Sequence, residues 1–205
     1  MTVIGPNAKV LGDGKVLDSA RLMGHAQVRG RARLSGEAAA DGHAVLTGTA
    51  WVRGSASVAG DARVSSTAQV YGWASLDDYA NVYGRAEVYG NAQVLGNAKV
   101  LGNAKVFGSA SVQGEACVSW DAEVFFPQHV ITVSGLTEGT ATVYRTEGGG
   151  HKLKIGCQYL QLTDGLEKTA AAHGYRLSPG WDLIRQGLLL AVEPWKNDDP
   201  AYYEE

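Results

Sequence analysis

The stretch that decides the fold runs from residue 86 to residue 106 and reads AEVYGNAQVLGNAKVLGNAKV, a six-residue unit repeated without a change of phase. The phase extends far beyond this stretch, because every sixth residue from Ile4 to Val130 is aliphatic. The residue two places before it is alanine in every unit from Ala20 to Ala122, and glycine follows two places after it in most units. A short period kept over most of a 205-residue chain is typical of a repeat protein.

The chemistry of one unit predicts a strand followed by a bend. Alternation of the form Ala-x-Val has the two-residue period of a β-strand, so that alanine and valine face the same side. The Gly90-Asn91 pair predicts a bend, because glycine tolerates a positive φ and asparagine is the next most permissive residue there. Three units then make one triangular coil, and each strand pairs in parallel with the strand one coil above it, about 4.8 Å away. We therefore expect residues 1–127 to form a mainly β domain. This domain would be a parallel β-helix of about seven coils around a dry aliphatic axis.

Over residues 3–130 the repeat resembles the hexapeptide-repeat family. This resemblance implies left-handed coils, which the spacing alone does not give, since parallel crossovers are otherwise nearly always right-handed. It also implies a homo-oligomer, with a trimer favoured. Many members are acyltransferases that use acetyl-CoA and a histidine base, often on a loop that interrupts the coils. No insertion interrupts the phase between Ile4 and Val130, so the sequence favours a non-catalytic protein without a cofactor. The alternative is an acetyl-CoA-dependent acyltransferase with His25 or His43 as the base.

Composition narrows the classes of partner. The net charge is -3 and both signs are mixed along the repeat, which makes nucleic acid an unexpected partner. Neither a signal peptide nor a long apolar run is recognisable, so a cytoplasmic protein without membrane contact is expected. Cys117 and Cys157 lie far apart and are expected to be free thiols in a reducing compartment.

The chain after residue 127 leaves the repeat. Phe125-Phe126-Pro127 ends it with bulky residues that would close the last coil. The sequence of residues 128–195 predicts a small α+β domain. Residues 196–205 are expected to form an acidic, solvated tail. The elements expected in the small domain are strands at 129–134 and 140–146, a turn at 147–150, a third strand through Leu153, Ile155 and Cys157, a helix from Asp164 to Gly174, and a helix that begins at Ser178-Pro179 and has Trp181, Ile184 and Leu188 on one face.

The stretch from Ala141 to Cys157 is similar to a domain of phage and prophage proteins. That similarity implies a phage-encoded protein acting in the host cytoplasm. It would suit an inhibitor that sequesters a host defence protein or a small nucleotide signal.

Residues 18 apart lie above one another on a triangular coil, so outward columns can be read from the sequence. One column contains four successive aromatic residues, which a solitary monomer would hardly leave in water. Two explanations stay open, covering by the small domain and a subunit interface. The residues predicted for an interface are Tyr71, Tyr89, Phe107 and Phe125 in this column, Trp73 beside it, and Tyr83 and Leu101 on the adjacent face.

A second column places His25, His43 and Asp61 one coil apart at successive bends. Two imidazoles and a carboxylate suit zinc, so a metal site is the alternative interpretation. Polar residues are expected at solvated bends in any case, and this favours the interpretation that the column binds no metal. The sequence as a whole predicts an oligomeric scaffold or binding protein.

Overall fold

The computed structural model describes residues 1–136, 139–155, 158–160 and 181–199. Its larger part is a solenoid of very short parallel strands that runs through residues 3–124. In chain order these strands are β1 (Val3–Ile4), β2 (Lys9–Gly12), β3 (Lys15–Val16), β4 (Arg21–Leu22), β5 (Gln27–Gly30), β6 (Arg33–Leu34), β7 (Ala39–Ala40), β8 (Val45–Leu46), β9 (Trp51–Val52), β10 (Ser57–Val58), β11 (Arg63–Val64), β12 (Gln69–Val70), β13 (Ser75–Leu76), β14 (Asn81–Val82), β15 (Glu87–Val88), β16 (Gln93–Val94), β17 (Lys99–Val100), β18 (Lys105–Val106), β19 (Ser111–Val112), β20 (Cys117–Val118) and β21 (Glu123–Val124).

These strands build three parallel seven-stranded sheets, one on each side of the solenoid. Every third strand belongs to the same sheet, so that one sheet runs from β1 to β19, the second from β2 to β20 and the third from β3 to β21. Each residue pairs with the residue 18 positions later, as Val70 does with Val88 and Val88 with Val106. The predicted fold class, three units per coil and about seven coils, is therefore confirmed.

The axis of the solenoid is dry. The aliphatic residue of every unit from Leu22 to Val124 is buried, and so is the alanine of every unit from Ala20 to Ala122. Backbone hydrogen bonds tie the coils together, since the N–H of Val3 donates to the carbonyl of Ala20 at 3.0 Å and the same pattern repeats upward. Burial of each aliphatic side chain contributes about 1.5 to 3 kcal/mol, which explains why the register does not slip.

The smaller part consists of an antiparallel sheet and one described α-helix. Its strands are β22 (Val130–Leu136), β23 (Gly139–Arg145), β24 (His151–Ile155) and β25 (Gln158–Leu160), and its helix is α1 (Trp181–Val192). Three short 3-10 turns, Pro127–His129, Glu147–Gly149 and Glu193–Asn197, connect or follow these elements. The core of this part is apolar and contains Ala141, Val143, Leu153, Ile155, Leu160, Leu188, Val192 and Trp195.

Several predictions for this part hold and one is wrong. The first two strands, the turn at 147–150 and the third strand are found within a residue or two of their predicted bounds. The sheet has four strands and not three, because β25 returns along β24. The second predicted helix is α1, with Ile184 and Leu188 packed on the sheet, whereas its predicted start and the whole predicted helix 164–174 lie outside the described residues.

The two ends of the solenoid differ. At the C-terminal end Tyr144 of β23 packs into the axial core, and Thr146 bridges to Ala122 of the last coil. The expectation that Phe125-Phe126-Pro127 closes the coil is thus corrected: Phe125 continues an outward column, and Pro127 starts a 3-10 turn. At the N-terminal end the axial residue Ile4 is 51% exposed.

Candidate functional site

The predicted aromatic column is a stack of rings. The ring centroids of Tyr71 and Tyr89 lie 4.8 Å apart, and those of Tyr89 and Phe107 lie 4.9 Å apart, with interplanar angles of 2° and 4°. Phe125 continues the stack at 5.3 Å from Phe107 with a tilt of 35°. These distances match the spacing of paired strands, so the parallel register itself sets the stacking geometry. We call these four residues the aromatic stripe.

An arginine lies at each end of the aromatic stripe. The guanidinium carbon of Arg53 is 4.2 Å from the ring centroid of Tyr71 and 4.7 Å from that of Trp51. At the other end the guanidinium carbon of Arg145 is 4.7 Å from the centroid of Phe125. Both contacts are cation–π interactions of normal length. They complete a column that passes from the solenoid into β23.

Only part of the aromatic stripe is accessible to a partner. Phe107 and Phe125 are fully buried within one chain, and His129 contacts Phe125 edge-on at 4.4 Å between centroids. Tyr71 and Tyr89 are half-buried. The covering explanation therefore holds for Phe107 and Phe125, and these two residues are not exposed surface. An interface through Tyr71 and Tyr89 stays a prediction.

The other predicted interface residues fall on two corners. Trp73 follows the aromatic stripe at the same corner and is 71% exposed. Tyr83 and Leu101 are half-buried and follow β14 and β17, at the corner between the second and third sheets. The structure thus keeps Trp73 with Tyr71 and Tyr89, and places Tyr83 and Leu101 elsewhere.

The histidine column does not form a three-ligand site. The imidazoles of His25 and His43 stack face to face with centroids 5.0 Å apart and an interplanar angle of 8°. Among the described residues, no three side chains of the His, Cys, Asp or Glu type come together in a way that could hold a metal ion. Asp61, the third residue of the predicted set, is therefore not brought into such a group.

Within the described chain neither imidazole has a carboxylate or carbonyl partner that would orient it as a general base. An acyl-transfer base is normally held by such a partner. Stacking one coil apart fixes the two rings, and the acetyl-CoA alternative stays a prediction.

A cleft that the sequence did not predict lies at the same corner as Leu101. Its walls are Leu101, Gly102, Asn103, Ser119 and Trp120 of the last two coils, together with Tyr159 of β25, and its volume is about 310 Å³. Trp120 and Tyr159 meet edge-to-face, with centroids 5.9 Å apart and an angle of 84°. The one sequence signal for this cleft is that Trp120 occupies a bend position that glycine holds in most coils.

A buried polar cluster joins the solenoid to the last described residues. Arg145 is 2% exposed, and its Nη1 donates to Oε2 of Glu123 at 2.6 Å. Its Nη2 donates to the carbonyl of Asp198 at 2.8 Å, and its Nε donates to the carbonyl of Trp195 at 3.2 Å. The predicted solvated tail is thus wrong at Asp198, which is part of this cluster.

His129 extends the same cluster. Its Nε2 lies 2.7 Å from Oδ2 of Asp198, and its Nδ1 faces the backbone N–H groups of Phe125 and Phe126, each at 3.4 Å. Because Nδ1 accepts from these N–H groups, Nε2 carries the proton and donates to the carboxylate. Burial lowers the pKa of His129, although Asp198 acts in the opposite direction.

Cys117 is a half-buried free thiol near Lys154 and Lys99. Burial raises the pKa of this thiol, and the two lysines only partly oppose the effect. A raised pKa leaves little thiolate at neutral pH, so Cys117 is a poor nucleophile. Cys157 lies outside the described residues.

No described helix combines the length and the apolar character that crossing a bilayer requires. No protein-family model matches the chain, and no curated protein matches it either.

Proposed function

We propose that the protein is a non-catalytic scaffold and binding protein that works as a homo-oligomer. A trimer with left-handed coils is the form that the resemblance to hexapeptide-repeat proteins implies. The observation that carries the proposal is the exposure of Trp73 beside the half-buried Tyr71 and Tyr89, on a corner of the solenoid that no loop interrupts.

The physical argument is the cost of leaving this corner in water. A tryptophan buries roughly 150 to 250 Å² when it is covered, and each buried Å² of apolar surface contributes about 25 cal/mol. Trp51, whose indole N–H donates to the hydroxyl of Ser35 at 2.9 Å, is also partly exposed and lies on the sheet next to this corner. Aromatic residues of this kind are enriched at the centres of interfaces. In a trimer the identical corners of the three copies would meet around the three-fold axis and be covered there, each packing against a neighbouring surface of the next copy.

The oligomer is tested by the molecular mass in solution. For the wild-type chain of 21.6 kDa we expect sedimentation equilibrium to give a mass three times as large. Trp73→Ser should shift the mass towards the monomer at micromolar concentration, because the exposed indole is lost while the axial core is untouched. Tyr79→Ser is the matched control, since Tyr79 is 66% exposed at a bend on another corner, and this variant should keep the wild-type mass.

A wild-type protein that sediments as a monomer would contradict the oligomer. If Trp73→Ser keeps the wild-type mass, the interface does not lie at the aromatic stripe. Binding of acetyl-CoA that disappears in His43→Ala would contradict the non-catalytic part of the proposal.

The partner that we propose for the assembled protein is a host defence protein or a small nucleotide signal, as the phage-like stretch from Ala141 to Cys157 implies.

A further inference from the structure

Trp120 adopts a backbone conformation that its own side chain disfavours. Trp120 is the last residue of a column of bend positions whose first three members are Gly12, Gly30 and Gly48. The backbone φ of Trp120 is +61°. A residue with a Cβ is strained in this left-handed region, and a bulky side chain is an outlier there. Strain of this kind persists where the side chain has a task, and it clusters at binding sites.

The position of Trp120 in the last coil explains why a side chain fits there at all. A Cβ added to Gly102, one coil below, would lie 2.8 Å from the backbone nitrogen of Trp120 and would collide with it. In the column of Trp120 the last coil has no further coil above it among the described residues, so its Cβ has room. Burial does not offset the strain, because the residue is still 59% exposed.

The cleft beside Trp120 offers both flat apolar walls and hydrogen-bonding groups. The perpendicular rings of Trp120 and Tyr159 form a corner, and Leu101 adds an aliphatic wall. The carboxamide of Asn103 and the indole N–H of Trp120 have no hydrogen-bond partner among the described residues. Ser119 is already bonded to the hydroxyl of Tyr144 at 3.2 Å. A volume of about 310 Å³ is within the range of sites for small ligands.

We infer that this cleft binds a planar nitrogen heterocycle of the purine type, stacked on Trp120 with its edge against Asn103. A carboxamide presents a donor and an acceptor side by side, which match the adjacent donor and acceptor at the edge of an adenine. Stacking of a base on an aromatic side chain supplies affinity. A pyranose can also stack on an indole and bond a carboxamide through its hydroxyls, so glucose is the competing ligand in the test. The inference rests on the proposed function in one respect, since it narrows the small nucleotide named there to the purine class, but the site lies at a different corner from the oligomer interface and does not depend on the oligomer.

The test uses the full chain, adenosine as the probe and isothermal titration calorimetry. Wild type should bind adenosine, and Trp120→Gly should weaken the binding by about tenfold or more, the lower part of the range for loss of one stacked base. Glycine relieves the strain at φ +61°, so the melting temperature of this variant should be unchanged or higher. Trp73→Ser, which changes an exposed tryptophan at another corner, should bind adenosine as wild type does.

Asn103→Asp provides a second variant that keeps the shape of the bend and removes the carboxamide donor. It should also weaken adenosine binding by about tenfold, the size of one lost bidentate contact. The inference is overturned if wild type does not bind adenosine, if it binds glucose instead, or if Trp120→Gly binds adenosine as tightly as wild type. A fall in the melting temperature of Trp120→Gly would also overturn it, because the indole would then serve packing. Sedimentation of the same variants separates this result from a failure of the oligomer.

Discussion

The ring of His129 is fully buried, although histidine is the side chain that most readily gains a charge near neutral pH. Its two nitrogens have opposite roles, because Nδ1 accepts from backbone N–H groups while Nε2 donates to Asp198. A proton on Nδ1 would face the N–H groups of Phe125 and Phe126 and could not be accommodated without movement. The structure therefore stabilises the neutral ring.

This geometry predicts a loss of stability in mild acid. Burial lowers the pKa of His129 in the folded chain below its ordinary 6.5, so the unfolded chain binds the proton more tightly. The contribution of His129 is thus fully present above pH 6.5, and it decreases as the pH falls below 6.5 towards the lower pKa of the folded state. Urea unfolding of wild type and His129→Gln, measured from pH 7.5 to pH 5, checks this. The difference between the two free energies of unfolding should shrink in acid, and a constant difference would contradict the assignment.

The bends are the elements that hold the coils together at the corners, and their glycines meet two separate constraints. Gly72 has a φ of +70°, and a Cβ placed on it would lie 2.9 Å from the backbone nitrogen of Gly90 in the next coil. Gly114 has a φ of +65° but lies in the last coil, where an added Cβ would meet nothing within 4 Å. A comparison of Gly72 with Gly114 therefore separates the cost of backbone strain from the cost of a steric collision between coils.

Alanine at each of these glycines should destabilise the protein to different degrees. Gly114→Ala carries only the cost of a left-handed conformation, about 1 to 2 kcal/mol in the free energy of unfolding. Gly72→Ala adds a collision with backbone that strand pairing holds in place, so its loss should be larger by at least about 1 kcal/mol. Urea unfolding of the two variants side by side checks this. Equal losses would show that the coils can move apart at the bend.

The elements of the solenoid could be predicted because each unit carries its own strand and bend chemistry. Val88 and Tyr89 sit where the period places them, and the stacking of Tyr71 on Tyr89 follows from the 18-residue register alone. Arg145 could not be predicted to cap the aromatic stripe, because it belongs to an antiparallel strand outside the period. Its place depends on how β23 packs over the last coil.

The candidate sites were less predictable than the fold, because part of each site lies outside the repeat. Trp120 was visible in the sequence as a departure from the bend glycines, but its partner Tyr159 lies on β25, which has no periodic signal. The burial of Phe107 and Phe125 depends on tertiary packing at the closed end and not on the repeat. Columns within the repeat can be read from the sequence, whereas contacts between the repeat and the small sheet cannot.

At the scale of the whole molecule, the two ends of the solenoid differ in how well the described residues cover them. Ile4 and Val10, which belong to the axial column, are exposed in the first coil, whereas Tyr144 covers the axis at the other end. In a solenoid each coil contacts only its neighbours, so the stability of a coil depends on how many neighbours it has. Among the described residues the first coil has a neighbour on one side only.

This difference predicts a gradient in amide hydrogen exchange. The N–H groups of Val3 and Gly5 donate to the second coil, and the equivalent groups of Ser57 and Ala59 donate to the coil above them in the middle of the solenoid. We expect the first pair to exchange at least about tenfold faster at pH 7, because local opening of an end coil breaks fewer contacts. Exchange followed by mass spectrometry or NMR checks this. Equal protection of the two pairs would mean that the first coil is covered in solution.

The 18-residue register also determines which insertions and deletions the molecule can tolerate. Removal of one whole turn, such as residues 55–72, shortens the prism but returns every later residue to the corner that it occupied before. Removal of a single hexad, such as residues 55–60, keeps the strand chemistry equally well but rotates everything downstream by one third of a revolution. Arg53 would then no longer lie under a tyrosine, and the rings beyond the cut would face another side. Length variation in multiples of three hexads preserves the surface pattern, and variation by one or two hexads preserves only the core.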